Sequence, residues 1–146
     1  MHFVTGGAFH GKKSWVIKNY QLNEQNCSWF NCYEQSESHF NLLAYSIDTN
    51  IIVIEGAEQI VIDLIKNKKS ALPSFQNWLE VLLNWEKQSG KRELIIIGTD
   101  IGKGIVPTEK LERIIRDDVG RCFQELSLKA TKVSLIWYGL QQVLKN

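Results

Sequence analysis

No stretch of this sequence approaches the roughly 18 consecutive apolar residues that a transmembrane helix needs, so no membrane span is expected. Neither sign of charge is in surplus, with 17 Lys and Arg against 16 Asp and Glu. That balance removes the usual electrostatic argument for a nucleic-acid partner, and there is no acidic tail. Cysteine is scarce. Cys27, Cys32 and Cys122 are odd in number and form no Cys-x-x-Cys pair. They argue against zinc and disulfides and for reduced thiols in a cytoplasm. Internal repeats and low-complexity linkers are missing as well. Strand-like residues begin at His2, which leaves no room for a signal peptide, so a cytoplasmic chain is expected. The 146 residues suit one domain over 1–146 with a sizeable core.

What is present starts with Gly6-Gly7-Ala8-Phe9-His10-Gly11-Lys12-Lys13-Ser14. It follows a short apolar run at 2–5 and precedes a helix-like run at 15–20. Gly6, Gly11 and Lys12 satisfy Gly-x-x-x-x-Gly-Lys in the strand–loop–helix setting that a phosphate-binding loop requires. Glycines let the backbone turn tightly and aim several N–H groups at one anion; the following helix and the lysine ammonium complete the cradle. Residues 6–14 are therefore the nucleotide-binding candidates, and Lys12 the best catalytic one. One position departs from the pattern. The residue after the lysine should offer a hydroxyl to Mg²⁺, and here it is Lys13. Ser14 lies about 100° further round a helix and cannot simply substitute. The plainer alternative is a glycine-rich turn that binds nothing.

Further along, residues 28–33 are a strand candidate and 39–47 a short helix. Ile51-Ile52-Val53-Ile54 is continuously apolar and β-branched, as in a strand buried on both faces, and ends in Glu55. Ala57, Ile60, Val61, Leu64 and Ile65 recur at helical spacing and read as a core-facing stripe without chemistry. The cluster at 66–70 reads as a solvated helix end. Pro73 and Ser74 open a helix with Phe75, Trp78, Leu79, Leu82 and Trp85 on one face, its tryptophans in the core or at a subunit boundary. Leu94-Ile95-Ile96-Ile97 is a second fully apolar strand. It runs into a loop ending at Pro107, at the carboxyl end of a strand, where open α/β sheets bind ligands. Thr108 is placed to cap the next helix. That helix is expected to bury Leu111, Ile114, Ile115, Val119, Cys122, Phe123 and Leu126, while Arg113, Asp117 and Arg121, four apart, can pair along it. Residues 132–138 form a strand, and 140–145 a short edge strand or a frayed end. This order predicts an α/β fold, a mostly parallel sheet with helices on both faces.

Gly102-x-Gly104-Ile105-Val106-Pro107 and Arg116-Asp117-x-x-Gly120-Arg121-x-x-Gln124 carry a resemblance. They are similar to motifs of the cobalamin-biosynthesis family that is both adenosylcobinamide kinase and adenosylcobinamide-phosphate guanylyltransferase. Gly6, Gly7, Ala8, Gly11 and Lys12 match the loop that opens the family; Glu55 matches a strand-terminal glutamate, and Asp100 stands conservatively at another. The departures are specific. Phe9 and His10 replace an arginine and a serine, Lys13 replaces a serine, and Phe123 replaces an asparagine. The segment after the second strand that carries the guanylylated histidine is missing. His39 resembles a later family histidine, and His2 and His10 match neither.

The resemblance implies a P-loop NTPase-like, RecA-like domain and a transferase, kinase or nucleotidyltransferase. It implies GTP or ATP as the nucleotide and a corrinoid as the acceptor. Glu55 and Asp100 would stand on the Mg²⁺ side, and Gly102, Gly104, Pro107, Arg116, Asp117 and Arg121 would shape the substrate loop. A homo-oligomer is implied too. The alternative is a degenerate paralogue that binds nucleotide or corrinoid as a regulatory or assembly partner and turns over little.

Overall fold

The computed structural model describes residues 1–34 and 47–146. The helix expected from His39 lies outside the described residues. The chain forms β1 (His2–Gly6), α1 (Lys12–Tyr20), β2 (Ser28–Asn31), β3 (Ile51–Glu55), α2 (Ala57–Lys66), α3 (Ala71–Lys87), β4 (Glu93–Thr99), α4 (Lys110–Lys129), β5 (Lys132–Trp137) and β6 (Leu140–Lys145). The strands make one six-stranded sheet in the order β2-β3-β4-β1-β5-β6. All neighbours are parallel except the β5–β6 pair at the edge, which is antiparallel. Residues 140–145 are thus an edge strand.

Side chains alternate across the sheet with period 2, and here both sides are apolar. Phe3, Ile52, Ile54, Leu94 and Ile96 point into a core completed by α2, α3 and α4. Val4, Val53, Ile95 and Ile97 point the other way, against Val16 of α1, Leu22 and Ile136. Helices therefore cover both faces. Fully burying side chains of this size contributes about 1.5–3 kcal/mol each, which is why β3, β4 and β1 hold the middle of the sheet. Trp78 and Trp85 belong to the core, and residues 66–70 are exposed. Among the described residues no helix is long and apolar enough to cross a membrane.

Three local expectations are corrected. Leu111 and Ile114 are exposed, because the first turns of α4 extend beyond the core, whereas Val119, Cys122 and Leu126 are buried. Thr108 does not cap α4. The N-cap is Glu109, without a side-chain bond, and the Thr108 carbonyl accepts from Arg113 Nη1 at 2.5 Å. The charged face pairs differently too. Arg116 meets Asp117 at 3.3 Å and Arg121 meets Asp118 at 2.8 Å, while Arg113 serves the carbonyls of Pro107 and Thr108.

His2 shows how polar groups enter this core. It is buried, with Nδ1 2.5 Å from the Tyr20 hydroxyl and Nε2 2.8 Å from Ser134 Oγ. Gln141 Nε2 donates to the same Ser134 oxygen at 2.8 Å, tying β6 to the network. Burial, helped by Lys132 and the N-terminal ammonium, lowers the His2 pKa from 6.5 to about 4. The unfolded chain therefore binds a proton in a window where the folded chain does not. Stability from this group is complete above pH 6.5 and is lost as pH falls towards about 4, by ~3 kcal/mol in total. Urea unfolding of the wild type and of His2→Asn between pH 7 and pH 4.5 tests this: the variant is expected to show the flatter profile.

Candidate functional site

The parallel register brings the carboxyl ends of three strands to one edge of the sheet. Gly6 pairs with Thr99 and Glu55 with Ile97. Between Gly6 and α1 the chain makes a compact loop. Gly6 has φ 151° and Gly11, the N-cap of α1, has φ 83°. A Cβ at Gly6 would lie inside van der Waals contact of the Ile136 carbonyl oxygen, so the loop must start at a glycine. Inside the loop His10 N–H donates to the Gly7 carbonyl at 3.3 Å, and Gly7 N–H donates to His10 Nδ1 at 3.2 Å. The β5–β6 turn closes on the loop from outside. Gly139 N–H donates to the His10 carbonyl at 2.8 Å, and the Tyr138 ring stacks on His10 with centroids 4.4 Å apart. Phe9 is at φ 58° with its side chain fully exposed.

The loop borders a cavity of about 610 Å³ that also takes in Tyr33, Glu55, Glu58, Ile97 and Thr99. No side chain caps the first turn of α1, so its N–H groups face this end of the helix uncompeted, an anion-favouring arrangement. Lys12 is buried and folds back over the loop. Its ammonium donates to the Gly7 carbonyl at 2.7 Å and to the Gly6 carbonyl at 3.3 Å. Burial lowers its pKa, and the nearby Glu58 and Glu55 pull in the opposite direction. Lys13 points to the strand side. Its Nζ is 3.1 Å from Glu55 Oε2 and 5.2 Å from the centre of the Trp29 ring. Trp29 Nε1–H donates to the same Glu55 oxygen at 2.9 Å.

Glu58, Tyr33, Thr99 and Trp29 are site residues that the sequence reading missed. Glu58, in the first turn of α2, is nearly inaccessible. Its Oε2 accepts the Thr99 N–H at 2.8 Å, and its Oε1 accepts the Tyr33 hydroxyl. Reading α2 as a core stripe alone overlooks this. The available signal was an acid placed at the positive end of a helix, three residues after Glu55.

The expected site residues fall into two places. Residues 8–14 and Glu55 border the 610 Å³ cavity. Asp100, Gly102 and Arg116 border another, of about 720 Å³, between α4 and the sheet, with Phe123 and Gln124. Gly104, Pro107, Asp117 and Arg121 do not line it. Asp100 N–H donates to the Gly6 carbonyl at 3.0 Å, and its Oδ1 accepts Gly102 N–H at 2.9 Å. Glu55 and Asp100 are thus not brought together. The donor set does not fit a directly ligated Mg²⁺, which wants near-octahedral oxygen. Lys13 stands at the hydroxyl position, Glu55 Oε2 carries an ammonium and an indole N–H, and both Glu58 oxygens are engaged.

Among the described histidines, His2 is locked in the core and the ring of His10 is held by Gly7 N–H and Tyr138. Burial pushes the thiols of Cys32 and Cys122 up to about 12, which leaves them unreactive.

A model of the family described as cobinamide kinase / cobinamide phosphate guanyltransferase matches residues 17–144. A comparison with curated proteins found no match. The family match begins after the glycine-rich loop and leaves residues 6–14 outside it.

Removing the Tyr33 hydroxyl leaves a carboxylate oxygen of a nearly inaccessible Glu58 without its donor. Tyr33→Phe is expected to cost about 1–3 kcal/mol, measured as a lower urea midpoint with an unchanged slope.

Proposed function

The chain belongs to the cobinamide kinase / cobinamide phosphate guanyltransferase family, and from that premise we propose that it binds GTP or ATP through residues 6–14 and transfers a phosphoryl or nucleotidyl group to a corrinoid. The observation that carries the reading is the Lys12 ammonium resting on the Gly6 and Gly7 carbonyls at the uncapped start of α1. A triphosphate offers that ammonium stronger, charged acceptors a short swing away. The strand order, with the glycine-rich loop after the central β1, supports a P-loop NTPase-like, RecA-like domain. The 720 Å³ cavity is proposed for the acceptor; Arg116, Gln124 and Asp100 line it over an apolar floor of Phe3 and Phe123. Transfer then depends on holding donor and acceptor in line across the strand ends, with Lys12 stabilising charge on the moving group.

A second reading, a nucleotide- or corrinoid-binding paralogue with little turnover, is favoured by Lys13 at the hydroxyl position and by the engagement of both described histidines. Incubation with cobinamide and each nucleotide, followed by mass analysis of the corrinoid, separates the two. A phosphorylated or nucleotidylated corrinoid supports the transferase, and its absence despite tight nucleotide binding supports the paralogue.

Calorimetric titration with GTP and ATP tests the shared premise. Lys12→Ala is expected to weaken binding by about tenfold to a hundredfold, the loss of charge-assisted hydrogen bonds; unchanged affinity would remove Lys12 from the site. Self-association belongs to the same proposal. It is supported by β6, an edge strand that exposes Leu140, Val143 and Leu144 next to the exposed Trp137 of β5. Light scattering is expected to give a multiple of the chain mass, reduced in Leu140→Asp; a monomeric wild type would refute this.

A further inference from the structure

We infer that the Lys13 ammonium takes the place of the divalent cation in this phosphate loop, so that the chain binds the polyphosphate of a nucleotide without a metal. The inference rests on the nucleotide reading above and adds to it the chemical form of the ligand: the free polyanion, in preference to its magnesium complex.

Three features converge. The first is position. In loops of this pattern the residue after the lysine supplies a hydroxyl to Mg²⁺, and here that residue is Lys13. The second is the partner. Lys13 Nζ sits 3.1 Å from Glu55 Oε2 at the carboxyl end of β3, the kind of carboxylate that otherwise helps to position the metal. The third is how the ammonium is held. Trp29 lies beneath it at 5.2 Å and also donates its indole N–H to the same Glu55 oxygen at 2.9 Å. The ring attracts the cation through its electron-rich face, and the N–H fixes the carboxylate that pairs with it.

The chemistry of the substitution follows from donor geometry. An ammonium has three N–H donors. One serves Glu55, leaving two for phosphate oxygens entering the 610 Å³ cavity, where Lys12 and the first turn of α1 supply the rest of the positive field. A Mg²⁺ approaching Glu55 meets the opposite situation. It must displace the ammonium or sit beside it against like charge, and it finds no hydroxyl at position 13. Bringing Mg²⁺ on the nucleotide therefore neutralises the ligand without gaining a protein ligand in return.

The test is calorimetric titration of inorganic tripolyphosphate and of GTP, each in EDTA and in excess Mg²⁺, with wild type, Lys13→Ser and Lys13→Arg. Wild type is expected to bind both anions in EDTA at least as tightly as in Mg²⁺. Lys13→Ser, which restores the hydroxyl, is expected to lose about tenfold in EDTA, the value of one charge-assisted hydrogen bond, and to regain affinity with Mg²⁺. Lys13→Arg keeps the charge and is expected to keep metal-free binding. Urea midpoints of the variants confirm that each is folded; Lys13 is half exposed, so little change is expected. Wild-type binding that appears only with Mg²⁺, or a Lys13→Ser protein that keeps its affinity in EDTA, would overturn the inference and leave the nucleotide reading standing. If wild type binds neither anion in either condition, and ATP fails to bind as well, the nucleotide reading fails and takes this inference with it.

Discussion

Gly6 is where the sheet and the loop meet with no room to spare. β1 lies between β4 and β5, and at its last residue the backbone passes so close to the Ile136 carbonyl that a side chain cannot be accommodated. The same residue gives its own carbonyl to Asp100 N–H and to the Lys12 ammonium. One atom group thus fixes the end of β1, the exit of β4 and the resting place of the principal cation. Moving Gly6 would disturb all three, which is why the remaining site geometry can be traced outward from it.

Around that point charge is packed in complementary layers. Two lysines adjacent in sequence leave α1 in different directions, one inward to backbone carbonyls and one to the end of β3. Two carboxylates three residues apart are held differently as well. Glu55 is engaged by a cation and an indole, Glu58 by a backbone N–H and a phenol. The charged side chains of the candidate site are therefore already held by protein partners, and part of its positive charge is committed. The family match runs from residue 17, so it does not reach the segment in which these lysines lie.

Much of this was legible in the residues. The loop announces itself through the spacing of Gly6, Gly11 and Lys12, and β3 and β4 through unbroken β-branched runs that only a doubly covered strand tolerates. What was not legible depends on distance in space. Glu58 looks like one polar residue on an amphipathic helix until the Thr99 N–H, 41 positions away, is placed over it. Asp100 looks like a partner of Glu55 because both end apolar strands. Its N–H bonds to Gly6, however, and turns the chain towards α4. Leu111 and Ile114 share the periodicity of the buried residues of α4, but helical period says nothing about where the neighbouring layer stops.

The place of β1 in the sheet has a consequence for how the chain folds. His2 pairs with Ile95 on one side and with Lys132 on the other, so both neighbours of β1 come from far later in the chain. Its apolar Phe3 and Val4 are buried only once those remote strands are in place. Contacts this remote in sequence slow folding, because loop closure precedes any gain from pairing. The glycine-rich loop therefore takes its final form only after these distant contacts close. It is completed by the β5–β6 turn, whose Gly139 N–H and Tyr138 ring both engage His10.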